Sequence, residues 1–84
     1  MPDRITVTVR LFASLREAAG AERFQLSVPA GTPVGALWGH LPEHVRALGP
    51  PSGARYALNH AWTIPAATLR DADEVAVVQP VSGG

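Results

Sequence analysis

The sequence has neither cysteine nor lysine among its 84 residues, so all seven of its basic residues are arginine. Without cysteine there is no disulfide framework, no thiolate metal site and no cysteine nucleophile. Without lysine there is no P-loop lysine, no Schiff-base lysine and no side-chain amine to accept an isopeptide bond. Seven acidic residues balance the seven arginines. This net charge of zero, with no basic cluster along the chain, argues against nucleic acid as the main partner.

Long hydrophobic runs are missing as well. The longest aliphatic stretch near the end covers only residues 75–78, whereas a membrane span needs about 20 apolar residues. No signal-peptide core follows Met1, because the chain soon enters an alternating pattern. Hydrophobic residues still make up 46% of this 8.8 kDa chain. We therefore expect one small folded domain in the cytoplasm, with no membrane segment.

Alternation of apolar and polar residues predicts two strands in the first third of the chain, over residues 5–11 and 24–28. Two short extended pieces follow, over residues 56–59 and 62–64. The last strand, residues 75–78, is apolar throughout, which is typical of a central strand covered on both faces.

Two helices are predicted between these strands. Ser14 and Glu17 match a capping box, and Gly20 stands where a glycine would end a short helix. Thr32 and Pro33 then read as the start of the main helix. Four residues at helical spacing form its buried stripe, namely Val34, Leu37, Trp38 and Leu41.

The segment after that stripe resembles a zinc-protease motif. His40, Glu43 and His44 fit the pattern H-x-x-E-H. Pro42 lies between the two histidines, where it either ends the helix or begins a further turn, and it disturbs the spacing. A catalytic zinc also needs a third protein ligand, so we predict solvated histidines and no metal site. We interpret the acidic cluster Asp71, Asp73 and Glu74 as a solvated turn.

The chain ends in Pro80, Val81, Ser82, Gly83 and Gly84. Two terminal glycines add nothing to packing, and a frayed end is the ordinary interpretation. The alternative is a narrow arm without side chains at its tip that enters a partner's active site. Fully extended, five residues reach roughly 16 Å, and the reactive group at the tip would be the Gly84 carboxylate.

Several stretches together resemble one family. They are LFASLREAAG at 11–20, VPAGTPV at 28–34, Asn59, DEVA at 73–76 and PVSGG at 80–84. On these motifs the whole chain resembles the MoaD/ThiS family of sulfur carriers. The resemblance implies an α+β domain with the ubiquitin-like β-grasp fold, in which a mixed four- to five-stranded sheet packs on one main helix. The domain would cover residues 1–79, and residues 80–84 would form a flexible C-terminal tail.

The resemblance also implies a function, that of the sulfur-carrier subunit of molybdopterin synthase. An adenylating enzyme of the ubiquitin-activating type would use ATP to activate Gly84, next to Gly83, and a persulfide donor would convert it to a thiocarboxylate. The large synthase subunit, expected to form a heterotetramer with this chain, would supply the catalytic side chains that pass sulfur to a cyclic pyranopterin. The chain would be no enzyme alone and would hold no permanent cofactor. The implied partner-binding residues are Phe12, Trp62, Val78, Pro80, Val81 and Ser82.

Other functions remain open from the residues. The chain is also compatible with a sulfur carrier for thiamin thiazole, tRNA thiolation or a tungsten cofactor, with a ubiquitin-like protein modifier, and with an interaction module whose tail is never activated. Two positions depart from the family pattern: Ala72 stands where glycine is usual, and Gln79 replaces the first proline of a Pro-Pro pair. If the turn requires a positive φ at Ala72, alanine there costs about 1 kcal/mol.

Overall fold

The computed structural model describes residues 3–80. Five strands form in this part of the chain: β1 (Arg4–Leu11), β2 (Arg23–Pro29), β3 (Arg55–Leu58), β4 (Ala61–Thr63) and β5 (Glu74–Val78). The helical segments are α1 (Ala13–Ala19), a 3₁₀ helix (Val34–His40) and α2 (Glu43–Arg46). None of these helices is long and apolar enough to cross a membrane.

The strands form one mixed sheet in the order β2-β1-β5-β3-β4. The central strand β5 runs parallel to β1 and antiparallel to β3, and both hairpins are antiparallel. A first hairpin, a helical crossover and a return through the centre of the sheet make up the ubiquitin-like β-grasp fold. The predicted fold class is therefore confirmed, with five strands.

The core lies on one face of this sheet, beneath the helical segments. Apolar residues at every second position of β1 point into it, as the alternation predicts. The 3₁₀ helix, α1 and α2 close the core from the other side. Its buried residues include Val7, Val9, Leu11, Leu15, Val28, Val34, Leu37, Val45, Val75 and Val77, and Trp38 packs against them half-buried.

Only one face of β5 is covered, so the prediction of a strand buried on both faces is wrong. Val75 and Val77 are fully buried, while Ala76 and Val78 on the opposite face are only half-buried. All the helical segments with buried residues pack on the core side. The apolar residues on the outer side of β5 therefore belong to an open sheet face.

The helix α1 ends as predicted but begins differently. Gly20 has a φ of 80° and donates its backbone N–H to Arg16 O at 3.0 Å. A glycine in this left-handed backbone conformation is a common way to end a right-handed α-helix. The predicted capping box is wrong, because Phe12 precedes the helix and no side chain caps it. The Ser14 hydroxyl instead donates to Gln79 Oε1 at 2.7 Å.

The predicted main helix is divided into the 3₁₀ helix and α2. Thr32 does not cap it, since its hydroxyl donates to Pro29 O, and Pro33 is extended. The first two helical amides, of Val34 and Gly35, donate outside the helix to a loop over residues 64–67. Pro42 begins a further turn, which is one of the two roles predicted for it, because α2 starts directly after it.

Gly35 explains the close contact between the 3₁₀ helix and that loop. Its N–H donates to Pro65 O at 2.9 Å. A Cβ at Gly35 would lie 2.9 Å from Pro65 Cβ, which is too close for two carbon atoms. At Gly39, four residues later, an added Cβ meets nothing within 4 Å. Of these two glycines, only Gly35 is therefore required for a close approach of the 3₁₀ helix to another segment, the loop that contains Pro65.

Tight turns join the strands at the end of the sheet opposite the C-terminus of β5. Asn59 and His60 connect β3 to β4 with φ values of 49° and 72°, as a two-residue hairpin turn requires. Ala72 has a φ of 70° and donates its N–H to Thr6 O at 2.8 Å. The turn before β5 thus does require a positive φ at the position where alanine replaces the family's glycine.

Candidate functional site

The candidate site lies on the open sheet face, where β5 ends and the chain continues toward its C-terminus. Strand pairing places Val78 beside Arg55 of β3. Leu11 pairs with Val77, and Phe12 comes one residue later on the extended backbone, so it lies beside Val78 on the open side. Trp62 pairs with Ala57 on the same face.

Three predicted partner-binding residues therefore share one face, and we call Phe12, Trp62 and Val78 the apolar patch. Trp62 is 61% exposed and Phe12 is 38% exposed, while Val78 is half-buried. Exposed aromatic side chains grouped beside a strand end are typical of an interaction surface. The strand pairings place the three residues on the same face of the sheet, and their role in binding stays a prediction.

A shallow groove of about 420 Å³ connects this patch to the start of the predicted tail. It is lined by Arg55, Trp62, Val78, Gln79 and Pro80. Pro80, also predicted to bind a partner, is the last residue described. The other predicted tail residues, Val81, Ser82, Gly83 and Gly84, lie outside the described residues.

Gln79 has a clear structural partner although it departs from the family pattern. Its side-chain oxygen accepts the Ser14 hydroxyl bond, so α1 is tied to the residue directly before Pro80. A proline at this position could not make that bond. The sequence pattern misses this contact, because it assigns Ser14 to a helix cap.

A guanidinium group lies against each aromatic ring of the patch. Arg10 lies 5.1 Å from the Phe12 ring centroid, and Arg55 lies 4.7 Å from that of Trp62. Both distances fall within the range of cation–π contacts. Arg10 also donates to Glu22 at 2.8 Å and lies 3.7 Å from Glu74.

The Arg10 pair changes the ionisation of both groups. The hydrogen bond from Arg10 is the main cause that lowers the pKa of Glu22, and the charges of Arg10, Arg16 and Arg23 act in the same direction. The bond to Glu22 likewise raises the pKa of Arg10. Arg10 is therefore a permanently charged group whose charge is balanced locally.

Arg55 was not singled out by the sequence analysis. The two-residue loop of Asn59 and His60 sets the hairpin register, which pairs Ala57 with Trp62. Arg55 is then the diagonal neighbour of Trp62 on the same face. Hairpin register, read together with strand alternation, would have indicated this contact.

The zinc-protease motif does not form a site. His40 ends the 3₁₀ helix, whereas His44 lies in α2, where its Nε2 is 3.0 Å from Ala19 O. His44 therefore links α2 to the end of α1. No group of three potential metal ligands occurs within residues 3–80. Asp71 and Asp73 form turn contacts, since their carboxylates accept the backbone N–H bonds of Thr6 and Arg70.

Comparison with known proteins gives the family. The model of the ThiS family matches residues 9–84, which is nearly the whole chain and includes its end. The chain belongs to the ThiS family. No curated protein matches it.

Solved structures with the same fold include proteins of two kinds. SAMP1 of Haloferax volcanii is 25% identical, with a TM-score of 0.80 over 94% of this chain and 99% of that one. The small archaeal modifier protein 1 of Methanosarcina acetivorans is 28% identical, with a TM-score of 0.75 over 99% and 100%. A complex of subunits 1 and 2 of molybdopterin-converting factor from Helicobacter pylori gives 23% identity and a TM-score of 0.63 over 95% and 100%. This ThiS-family chain thus shares its fold with ubiquitin-like modifiers and with a protein that works as one subunit of a complex.

Proposed function

We propose that this ThiS-family chain is the sulfur-carrier subunit of molybdopterin synthase and that Gly84 is its reactive residue. The main support is the family match, which continues through residue 84. In the structure, the chain reaches Pro80 directly from the central strand, beside the apolar patch. A partner that binds this patch would hold the C-terminus near its own active site.

The proposed chemistry begins at the Gly84 carboxylate. A carboxylate is a poor electrophile because it is ionised at neutral pH. Attack on the α-phosphate of ATP would expel pyrophosphate and give an acyl-adenylate. A persulfide sulfur would then expel AMP, and reduction of the resulting acyl disulfide by a thiol of the donor would leave a thiocarboxylate. This soft nucleophile would pass its sulfur to a cyclic pyranopterin.

The composition of the chain suits this cycle. An acyl-adenylate reacts with amines and thiols, and the sequence has no lysine and no cysteine. The activated end would therefore meet no side-chain amine or thiol of its own chain. Gly83 and Gly84 have no Cβ, so the end can enter a channel that fits only backbone.

The proposed partners would act from outside the chain. They are an adenylating enzyme of the ubiquitin-activating type, which uses the ATP, a persulfide donor, and the large synthase subunit in a heterotetramer. We propose that residues 1–79 dock and residues 80–84 deliver the reactive group, in the cytoplasm. The residues proposed to contact the large subunit are Phe12, Trp62, Val78, Pro80, Val81 and Ser82.

The intact mass of the protein isolated from its own cells tests this proposal. We expect a fraction whose mass has gained one sulfur in place of one oxygen, and we expect deletion of Gly84 to remove that fraction while the fold survives. With the large subunit and the cyclic pyranopterin, the sulfurated chain should form the dithiolene product. A sulfurated chain that reacts only with a thiazole, tRNA or tungsten-cofactor system would assign the carrier to that pathway instead.

A second candidate function is a ubiquitin-like protein modifier. It is favoured by the structural likeness to SAMP1 of Haloferax volcanii over nearly the full length of both chains. In that case the Gly84 acyl group would pass to a lysine of a target protein. The same mass experiment separates the two functions, because a modifier gives isopeptide adducts of higher mass and no sulfur gain is required.

A further inference from the structure

Arg55 is held in a defined position at the groove beside the predicted tail. Its guanidinium lies 4.7 Å from the centroid of the exposed Trp62 ring. Both residues line the groove together with Val78 and Pro80. A planar guanidinium that stacks on a ring keeps its N–H donors directed outward from its edge. Arg55 therefore presents hydrogen-bond donors at the border of the apolar patch.

The charge of Arg55 is not balanced in the way that the charge of Arg10, the other arginine stacked on this face, is balanced. Arg10 is balanced by Glu22 and Glu74, at 2.8 and 3.7 Å. Arg55 forms no ion pair with any carboxylate of residues 3–80. Two guanidinium groups thus lie beside the apolar patch. That of Arg10 is balanced by carboxylates of its own domain, whereas that of Arg55 has no carboxylate partner within residues 3–80.

The carboxylates of Asp71 and Asp73 lie at the other end of the sheet, in the turn before β5. Asp71 Oδ1 accepts the Thr6 N–H at 2.8 Å, and Asp73 accepts bonds from Arg70 N–H and Asn59 Nδ2. These acids stabilise the turn before β5, far along the strand from Val78. Both of these carboxylates are therefore too far along the sheet to pair with Arg55.

We propose that Arg55 determines which partner binds this face, by pairing with a carboxylate on the large synthase subunit while an apolar side chain of that subunit fills the groove. The inference rests on the proposed function, because it takes the large subunit as the occupant. An acidic border around an apolar centre is the surface complementary to Arg55, Trp62 and Val78. Arginine–carboxylate pairs are bidentate and directional, so such a pair would also set the orientation in which the tail enters.

Titration calorimetry with the large subunit from the same organism tests this pairing through three substitutions at one position. Arg55→Gln removes the charge, and we expect affinity to fall about tenfold or more. Arg55→Glu reverses the charge, and a larger loss is expected from repulsion. Arg55→Lys keeps the charge but loses the planar fork, so its loss should be smaller than that of Arg55→Gln. When the salt concentration is raised from roughly 0.05 to 0.5 M, the affinity of the wild type should decrease, and the affinity of Arg55→Gln should decrease less.

Arg46→Glu is the matched control. Arg46 is exposed in α2, on the covered side of the sheet, and its reversal makes the same change in net charge. We expect this variant to bind as the wild type does. Equal melting temperatures of all variants, measured by circular dichroism, would show that the fold is intact.

Several results would overturn the proposal. Equal affinity of wild type and Arg55→Glu would do so alone, leaving the sulfur-carrier function untouched. Equal losses for Arg55→Lys and Arg55→Gln, with an unchanged salt dependence, would mean that Arg55 only supports the Trp62 ring. Salt-dependent self-association in ultracentrifugation that Arg55→Glu abolishes would make a second copy of the chain the occupant. A wild-type chain that never binds the large subunit, and carries no sulfur, would remove both this inference and the proposed function.

Discussion

A pair of glycine substitutions in the 3₁₀ helix tests the packing of the fold most directly. Gly35 and Gly39 lie in the same 3₁₀ helix, four residues apart, and neither has a positive φ. An added Cβ at Gly35 meets Pro65 Cβ at 2.9 Å and Pro65 O at 3.3 Å, whereas one at Gly39 meets nothing within 4 Å. The two Gly→Ala changes thus have the same chemistry and differ in what surrounds the new methyl group.

The expected free energies follow from these two environments. Alanine in place of a helical glycine gains about 0.5–1 kcal/mol, mainly because the unfolded chain loses freedom. At Gly39 this gain should appear unopposed. At Gly35 the methyl group forces Pro65 to move, and overpacking of this kind costs about 1–3 kcal/mol. Since the backbone gain is common to both, the difference in stability between the two variants measures the Pro65 contact alone.

Urea denaturation followed by circular dichroism gives both free energies of unfolding. We expect Gly35→Ala to be less stable than Gly39→Ala by about 1–3 kcal/mol. For a chain of this size that difference corresponds to melting temperatures on the order of 5–20 °C apart. Equal denaturant slopes would show that the unfolded states are comparable. Equal stability of the two variants would refute the contact between Gly35 and Pro65 as described.

Two further predictions concern the turn before β5 and the Arg10 pair. Ala72→Gly should stabilise the domain by about 0.5–1 kcal/mol, because glycine adopts the φ of 70° without a Cβ penalty. Ala30→Gly is its control, because Ala30 lies in a turn without a positive φ, and this variant should lower the melting temperature. An equal decrease for both variants would show that the positive φ of Ala72 costs no stability. Glu22 has a lowered pKa in the folded state, mainly through its hydrogen bond from Arg10. Its ionised form therefore stabilises the fold above its unfolded pKa of about 4.3. That contribution is lost as the pH falls through the folded pKa. Melting temperatures of Glu22→Gln should therefore decline less than those of the wild type below about pH 5, and parallel curves would show that the pair does not stabilise the fold.

Much of the fold follows from local sequence patterns. Alternation identified β1 and β2 because each strand has one face buried in the core and one face exposed. Gly20 identified the end of α1 because only glycine adopts that φ easily. The main helix was harder to predict, because its form depends on the contacts of Gly35 with Pro65, 30 residues away in sequence. Local propensity carries no information on such a contact.

The candidate site shows the same division. The positions of Phe12, Trp62 and Val78 on one face agree with their place in the strands, as does the path from β5 to Pro80. The wrong prediction for β5 came from its uniformly apolar residues, which a strand covered on both faces and a strand with an exposed apolar patch share. The stacking of Arg55 on Trp62 and the bond of Ser14 to Gln79 required the folded chain.

The central place of β5 has a mechanical consequence. This strand pairs with β1 along one edge and with β3 along the other, and its Val75 and Val77 are buried in the core. Detaching it would break both pairings and expose the core, so local opening there is close to global unfolding. β4, by contrast, pairs along one edge only. A molecule that pulls on the C-terminus therefore pulls against the whole sheet, and its binding energy positions the terminal group instead of peeling away an edge strand.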